Sequence, residues 1–294
     1  MSGKITTKLK PYIMIAPAMV GIGFFTIFPT IKLVWMSFFY INLMNPARTR
    51  FVGFSNYVEE FARDAFARSI FNTVAYSFFM IVFVMGISLI VAVWLGSKKS
   101  NSNSALQVGI FTPHVVSMVS VSLIWLQMME PRFGLLNQLL DFLGLPRSAW
   151  LTGSKTALMS VIIVAVWKAI GYYTLIFIAA LQSIPSEIYE AATLDKAGKA
   201  RTFFKITLPI ISPQIFFVLI ILTIGSFKVF ETIRIMTKGG PTYATTSIAY
   251  LIYSEVFEFN RYGYGAVAGV VMLIIISLLN VVYFKNLSKK VHYQ

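Results

Sequence analysis

No cysteine occurs anywhere in the sequence, and histidine occurs only twice, as His114 and His292. The first absence excludes a disulfide framework and thiolate metal sites, and leaves the redox compartment unmarked. Neither histidine has a second histidine or a carboxylate three or four residues further on, so no metal site is expected and His114 reads as a packing residue. Acidic residues are scarce as well, 11 against 25 Lys and Arg, and charged residues make up only 12% of 294 positions. No constellation of nucleophile, acid and base emerges from so few candidates, so no catalytic residue is assigned and the chain is not read as an enzyme. GSKT (153–156) resembles a phosphate-binding loop only superficially. That loop needs Gly-Lys-Ser/Thr in direct succession and a second glycine five residues earlier, where Ser148 stands. Any work driven by ATP must therefore be done by a partner.

What is abundant is apolar: 57% of the residues, with a positive mean hydropathy. A helix needs roughly 20 apolar residues to cross about 30 Å of hydrocarbon. Six stretches qualify, at 11–39, 70–97, 105–129, 156–182, 209–230 and 264–284. Runs such as MIVFVMGISLIVAVWLG (80–96) lack the alternation of a barrel strand. The fold class read from this is an all-α membrane protein with six transmembrane helices in a single domain over 1–294. The basic start of the chain has the charge of a signal peptide, but its apolar run continues to Tyr40 and reads as a retained first span.

The net charge of +14 does not point to nucleic acid, because no basic groove interleaved with aromatics is present. Its clearest clusters, KKSNSNS (98–104) and KNLSKK (285–290), follow spans and read as anchors at a lipid headgroup surface, which places both termini in the cytoplasm. On the opposite side, Val58, Ala62, Phe66 and Ile70 recur every four residues and predict a short interfacial helix. Leu135, Leu136, Leu139, Leu140 and Leu143 predict a second, ended by Gly144 and Pro146. KGGPTYATT (238–246) is a Gly/Pro turn before a third amphipathic run ending at Phe259. Pro17, Pro29 and Pro113 bend spans one and three, and GAVAG (265–269) fits close helix packing through small residues.

Within or beside the spans stand Lys168, Lys228, Glu231 and Arg234. An ionisable group there either serves a transport path or is neutralised by a neighbour or reaches the headgroups. The aromatic and hydroxyl residues in WKAIGYYT (167–174) and GSFKVF (225–230) suit stacking on a polyhydroxyl ligand, or an interfacial belt.

Between spans four and five lies EIYEAATLDKAGKARTFFKITLP (187–209), charged and rich in helix formers. It predicts two short helices joined by a turn on the cytoplasmic face, a docking element for something soluble. This segment resembles the EAA motif of permease subunits from binding-protein-dependent ABC importers, in its sugar-permease version. Glu190-Ala191-Ala192 and Ile206, Leu208 and Pro209 match that motif at its spacing. Lys196, next to Asp195, occupies the motif's glycine position, with Gly198 two residues on, so the turn is shifted or takes its left-handed residue from Gly198. FVGFSNY (51–57), FNT (71–73), FGLLN (133–137) and TKGGPTYATT (237–246) are similar to the outer loops of the same family.

The resemblance implies the type I ABC importer permease fold with cytoplasmic coupling helices, in a bacterial or archaeal cytoplasmic membrane. Implied partners are a homologous second permease, two ATP-binding subunits that hold ATP and Mg, and an extracytoplasmic solute-binding protein that delivers an oligosaccharide; the chain itself carries no cofactor. Glu190 is similar to the glutamate that pairs with an ATPase arginine. By the same resemblance, substrate contacts fall near Lys168, Ala169 and Tyr172, and near Gly225, Ser226 and Val229. With Lys228 also in the path, the lysines favour an anionic solute such as a uronate oligosaccharide or a glycerol phosphate ester. A stand-alone secondary transporter would be expected to show two related halves, which are not found.

Overall fold

A computed structural model describes residues 2–42, 45–96 and 101–286. The side chains of the 98–104 cluster, Lys289, Lys290 and His292 lie outside the described residues. The helices in chain order are α1 (Ser2–Ile22), α2 (Phe28–Met36), α3 (Ser55–Phe61), α4 (Asp64–Gly96), α5 (Asn101–Val115), α6 (Met118–Met128), α7 (Leu135–Phe142), α8 (Ala157–Gln182), α9 (Ser186–Leu194), α10 (Lys199–Thr202), α11 (Leu208–Ile210), α12 (Ser212–Phe227), α13 (Glu231–Met236), α14 (Ile248–Tyr253) and α15 (Tyr262–Asn286). Two short strands, β1 (Phe39–Tyr40) and β2 (Arg50–Phe51), pair antiparallel.

The chain divides into two compact units, one of residues 1–63 and 252–271 and the other of 64–251 and 272–294. In the first unit, Asn56 of the FVGFSNY stretch donates to the carbonyls of Ser37 and Phe39, at 2.9 and 3.0 Å, and Tyr57 shares a 2.7 Å hydrogen bond with Ser37. GAVAG is a packing surface: Ala266, Val267 and Ala268 are buried, and a Cβ on Gly265 would come within 2.4 Å of Val256.

The second unit is built on α4, α8 and α12, which pack on one another, with α5 laid against α8 and α13 against α6. The buried face of α4 carries Thr73, Ser77, Met80, Val84, Ser88 and Ala92, while Phe71, Phe78 and Ile90 point outward. Small and polar inside with large apolar outside is the arrangement lipid favours, because hydrocarbon solvates the large side chains and close packing needs small ones. The motifs at 71–73, 133–137 and 237–246 are tie points. Asn72 donates to the carbonyls of Tyr243 and Thr246, at 2.8 and 3.1 Å, and the Ile248 amide donates to Thr73 at 2.9 Å. Asn137 of FGLLN is almost fully buried; it donates to Pro131 and Ser148 and accepts from the Trp150 indole.

Among the described residues, five helices are long and apolar enough to cross a membrane, over Lys10–Met36, Asp64–Gly96, Ala157–Gln182, Ser212–Met236 and Tyr262–Lys285. The expected third span is broken: Ala105–Val115 and Met118–Met128 meet at 94°. The bend lies just past Pro113, and it is far sharper than a proline alone usually imposes. The interfacial helix expected over 58–70 is also split. α3 stops at Phe61, and Phe66 and Ile70 belong to the first turns of α4, where Asp64 complements the helix N-terminus. The helix expected at 135–143 is α7, with Gly144 at φ +68° ending it.

Candidate functional site

The segment 187–209 carries two short helices joined by a turn, α9 and α10, and α9 is anchored on one side. Ile188 and Tyr189 of α9 pack with Leu208 and Ile210 against Ala180, Ile184 and Ile211, and the Tyr189 hydroxyl lies 3.3 Å from that of Thr207. Ala192 is buried. Glu187, Glu190, Ala191 and Leu194, spaced at i, i+3, i+4 and i+7, form the opposite stripe, and all four are exposed, Leu194 by 84%. The motif thus has two faces. Glu190 and Ala191 point outward, whereas Ala192, Ile206, Leu208 and Pro209 lie wholly or partly inside.

The turn after α9 differs from the expectation. Lys196 itself takes the left-handed conformation, at φ +52°, and Gly198 is extended at φ −64°, ψ 154° as the residue before α10. The amide of Ala197 donates to the Ala192 carbonyl and that of Lys196 to Thr193, at 2.9 and 3.0 Å. This paired pattern closes a helix around a left-handed residue, so the register needs it at 196 whatever the side chain. Gly198 supplies no positive φ, and the turn is not shifted. Asp195 is the last residue before it and is exposed.

A second feature is a cavity of about 400 Å³ in the second unit. Five of the seven residues placed on the substrate path from the sequence meet there: Ala169 on α8, Gly225 and Ser226 on α12, and Lys228 and Val229 just after it. Glu231 and the rings of Tyr173 and Phe230 join them. Lys168 and Tyr172 do not. They lie on the neighbouring face of α8, where the Lys168 ammonium donates to the carbonyls of His114 and Pro113, at 2.8 and 3.3 Å, and the Tyr172 ring stacks on His114 at 4.6 Å. Sequence reasoning missed Tyr76 and Met80 of α4, Met118 of α6, Ala165 of α8, Leu222 of α12 and Thr232 of α13, which also line it. The buried polar stripe on α4 was the available signal for Tyr76. Arg234 sits on α13, its amide bonded to the Phe230 carbonyl.

Aromatic faces, a hydroxyl, an ammonium and a carboxylate around one cavity can stack on and hydrogen-bond a polar, hydroxyl-rich solute. Among the described residues no group of three or more His, Asp or Glu side chains is placed to hold a metal ion.

The chain is similar along nearly its whole length to known transport proteins. It is 36% identical over 285 residues to the probable ABC transporter permease protein YurN of Bacillus subtilis (strain 168), covering 95% of this chain and 97% of that protein. It is 32% identical to the sn-glycerol-3-phosphate transport system permease protein UgpA of Yersinia pestis bv. Antiqua (strain Antiqua), with 97% and 96% covered. Its fold matches a chain in the crystal structure of a bacterial alginate ABC transporter in complex with an alginate pentasaccharide-bound periplasmic protein, with a TM-score of 0.80, 27% identity, and 95% and 96% of the two chains covered. Residues 62–293 match the family described as the binding-protein-dependent transport system inner membrane component. The chain belongs to that family.

Proposed function

We propose that the chain is one of two permease subunits of an ATP-driven importer for a sugar or sugar derivative, multi-pass in the cytoplasmic membrane with both termini inside. A solute-binding protein delivers the solute from outside, and two ATPase subunits, holding ATP and Mg, dock beneath on the 187–209 segment. The observation that carries this reading is the one-sided anchoring of α9. Its inner stripe fastens it to the ends of α8 and α12, and its outer stripe presents Glu190 and Leu194 to a partner. A helix held this way transmits a push from a soluble engine to two spans as a rigid body. Glu190 pairs with a cation on the ATPase, and Leu194 fills an apolar recess beside it.

The solute passes the cavity at Ala169, Gly225 and Ser226, stacks on Tyr173 and Phe230, and shares hydrogen bonds with Lys228 and Glu231. A glycerol phosphate ester is a second reading, favoured by Lys228 on the cavity wall and by the likeness to UgpA. The test is ATP hydrolysis by the complex reconstituted in lipid with its binding protein, across neutral oligosaccharides, uronate oligosaccharides and glycerol phosphate esters. Stimulation by a sugar class supports the first reading and stimulation by the phosphate ester the second. Stimulation by none of them, in a complex verified to be intact, would contradict both.

A further inference from the structure

Lys168 is the cation expected from the sequence to meet an anionic solute, and in the structure its ammonium faces backbone carbonyls. At the break between α5 and α6, the last carbonyls of α5 have no helical amide to receive, because residues 116 and 117 leave the helix. In hydrocarbon such carbonyls need another donor. The Lys168 ammonium reaches across from α8 to two of them, His114 at 2.8 Å and Pro113 at 3.3 Å. It also places a positive charge at the negative end of the α5 dipole.

Two neighbours on the same helix hold the approach. Tyr172, one turn on, stacks its ring on His114, with the planes 12° apart. Gly171 brings the backbones together so closely that a Cβ there would stand 2.0 Å from the Ile110 carbonyl oxygen. Beyond the break, the first residue of α6 is Met118, which forms part of the cavity wall.

We propose that Lys168 is a positioning residue, an ammonium clamp that fixes the broken third span at its bend and thereby sets where Met118 closes the solute cavity. Lys168 does not touch the solute. The clamp rests on geometry within α5, α6 and α8, and its distance readout is independent of which solute the importer carries.

The absence of cysteine makes the test direct. Cysteines introduced at Leu106 and Gln127, both exposed, carry spin labels on the two arms of the bend. A straight span would separate these backbone positions by about 31 Å, and a right-angle bend brings them to about 21 Å. Pulsed EPR is run on the assembled complex with Lys168 intact, Lys168→Met and Lys168→Arg. Methionine keeps the length and apolar stem but has no donors, and arginine keeps the charge and the donors. The expected result is a longer, broader distance distribution for Lys168→Met with solute uptake reduced roughly tenfold or more, and near-native values of both for Lys168→Arg. An unchanged distance in Lys168→Met would overturn the clamp. If KM then rises for anionic solutes alone, Lys168 is a solute ligand. A distance lengthened equally in Lys168→Arg would overturn the role of the charged donor.

Discussion

Two carboxylates, Glu60 and Glu255, lie buried against the guanidinium of Arg63, which pairs with them at 2.6 and 2.8 Å; Arg261 stands 3.8 Å from Glu255. Burial pushes the Glu60 carboxyl above its ordinary value of 4.5, with the Arg63 hydrogen bond pulling the other way. A carboxyl raised in the folded state holds its proton more tightly there than in the unfolded chain. Its contribution therefore favours folding most below pH 4.5 and declines as pH rises through the raised folded value. Glu60→Gln should remove that component from the melting temperature measured across about pH 4–8. Arg63→Met should destabilise by about 3–5 kcal/mol at neutral pH, since it strands buried charge. Lys196 makes the opposite case. A side chain with a Cβ in the left-handed region costs about 1 kcal/mol, so Lys196→Gly should tighten the end of α9 and slow amide exchange at Lys196 and Ala197 by roughly fivefold. Slower exchange nowhere near this turn would show that the strain is relieved elsewhere.

At the scale of elements, glycine separates packing from passage. Gly171 is where α8 meets α5, and Gly171→Ala should unseat the two helices, with a cost of several kcal/mol read as lost folded protein. Gly225 lies on the cavity, and a Cβ there meets nothing within 4 Å. Gly225→Leu should fold normally, by melting temperature, yet block uptake by filling the cavity. Full uptake in Gly225→Leu would remove the cavity from the path. The same contrast explains what could be read from the sequence. Span positions follow from apolar length, which is local, and all but the third appear near the places expected. The two short helices of 187–209 were equally legible, from the helix formers there, whereas the stripe that exposes Glu190 came from the structure. The 94° break was not, because Pro113 marks a bend but the donor that sustains it comes from α8, more than 50 residues away. Tyr76, Met80 and Met118 entered the cavity for the same reason: which helices adjoin is decided by packing, not by spacing along the chain. The left-handed turn falls at Lys196 and not at Gly198 because register outweighs residue type there, and the hydrogen bonds of Lys196 and Ala197 fix position 196.

At the scale of the whole molecule, the proposed importer uses this chain as a path and a handle. It belongs to a family of membrane transport components, and in the proposed importer the energy for translocation arrives through contact with another subunit. That contact is assigned to the outer stripe of α9, so solute uptake and ATP hydrolysis should both fail when the stripe is damaged while the cavity is left intact. The decisive measurement is uptake and hydrolysis together, in proteoliposomes holding the assembled complex and its binding protein, for the native chain and Glu190→Ala. Glu190→Ala is expected to lose at least about tenfold in both uptake and binding-protein-stimulated hydrolysis, a change of about 1.4 kcal/mol or more in the coupling step, with its melting temperature unchanged. Native uptake and native stimulation in Glu190→Ala, in a complex verified to be intact, would contradict the coupling assigned to α9.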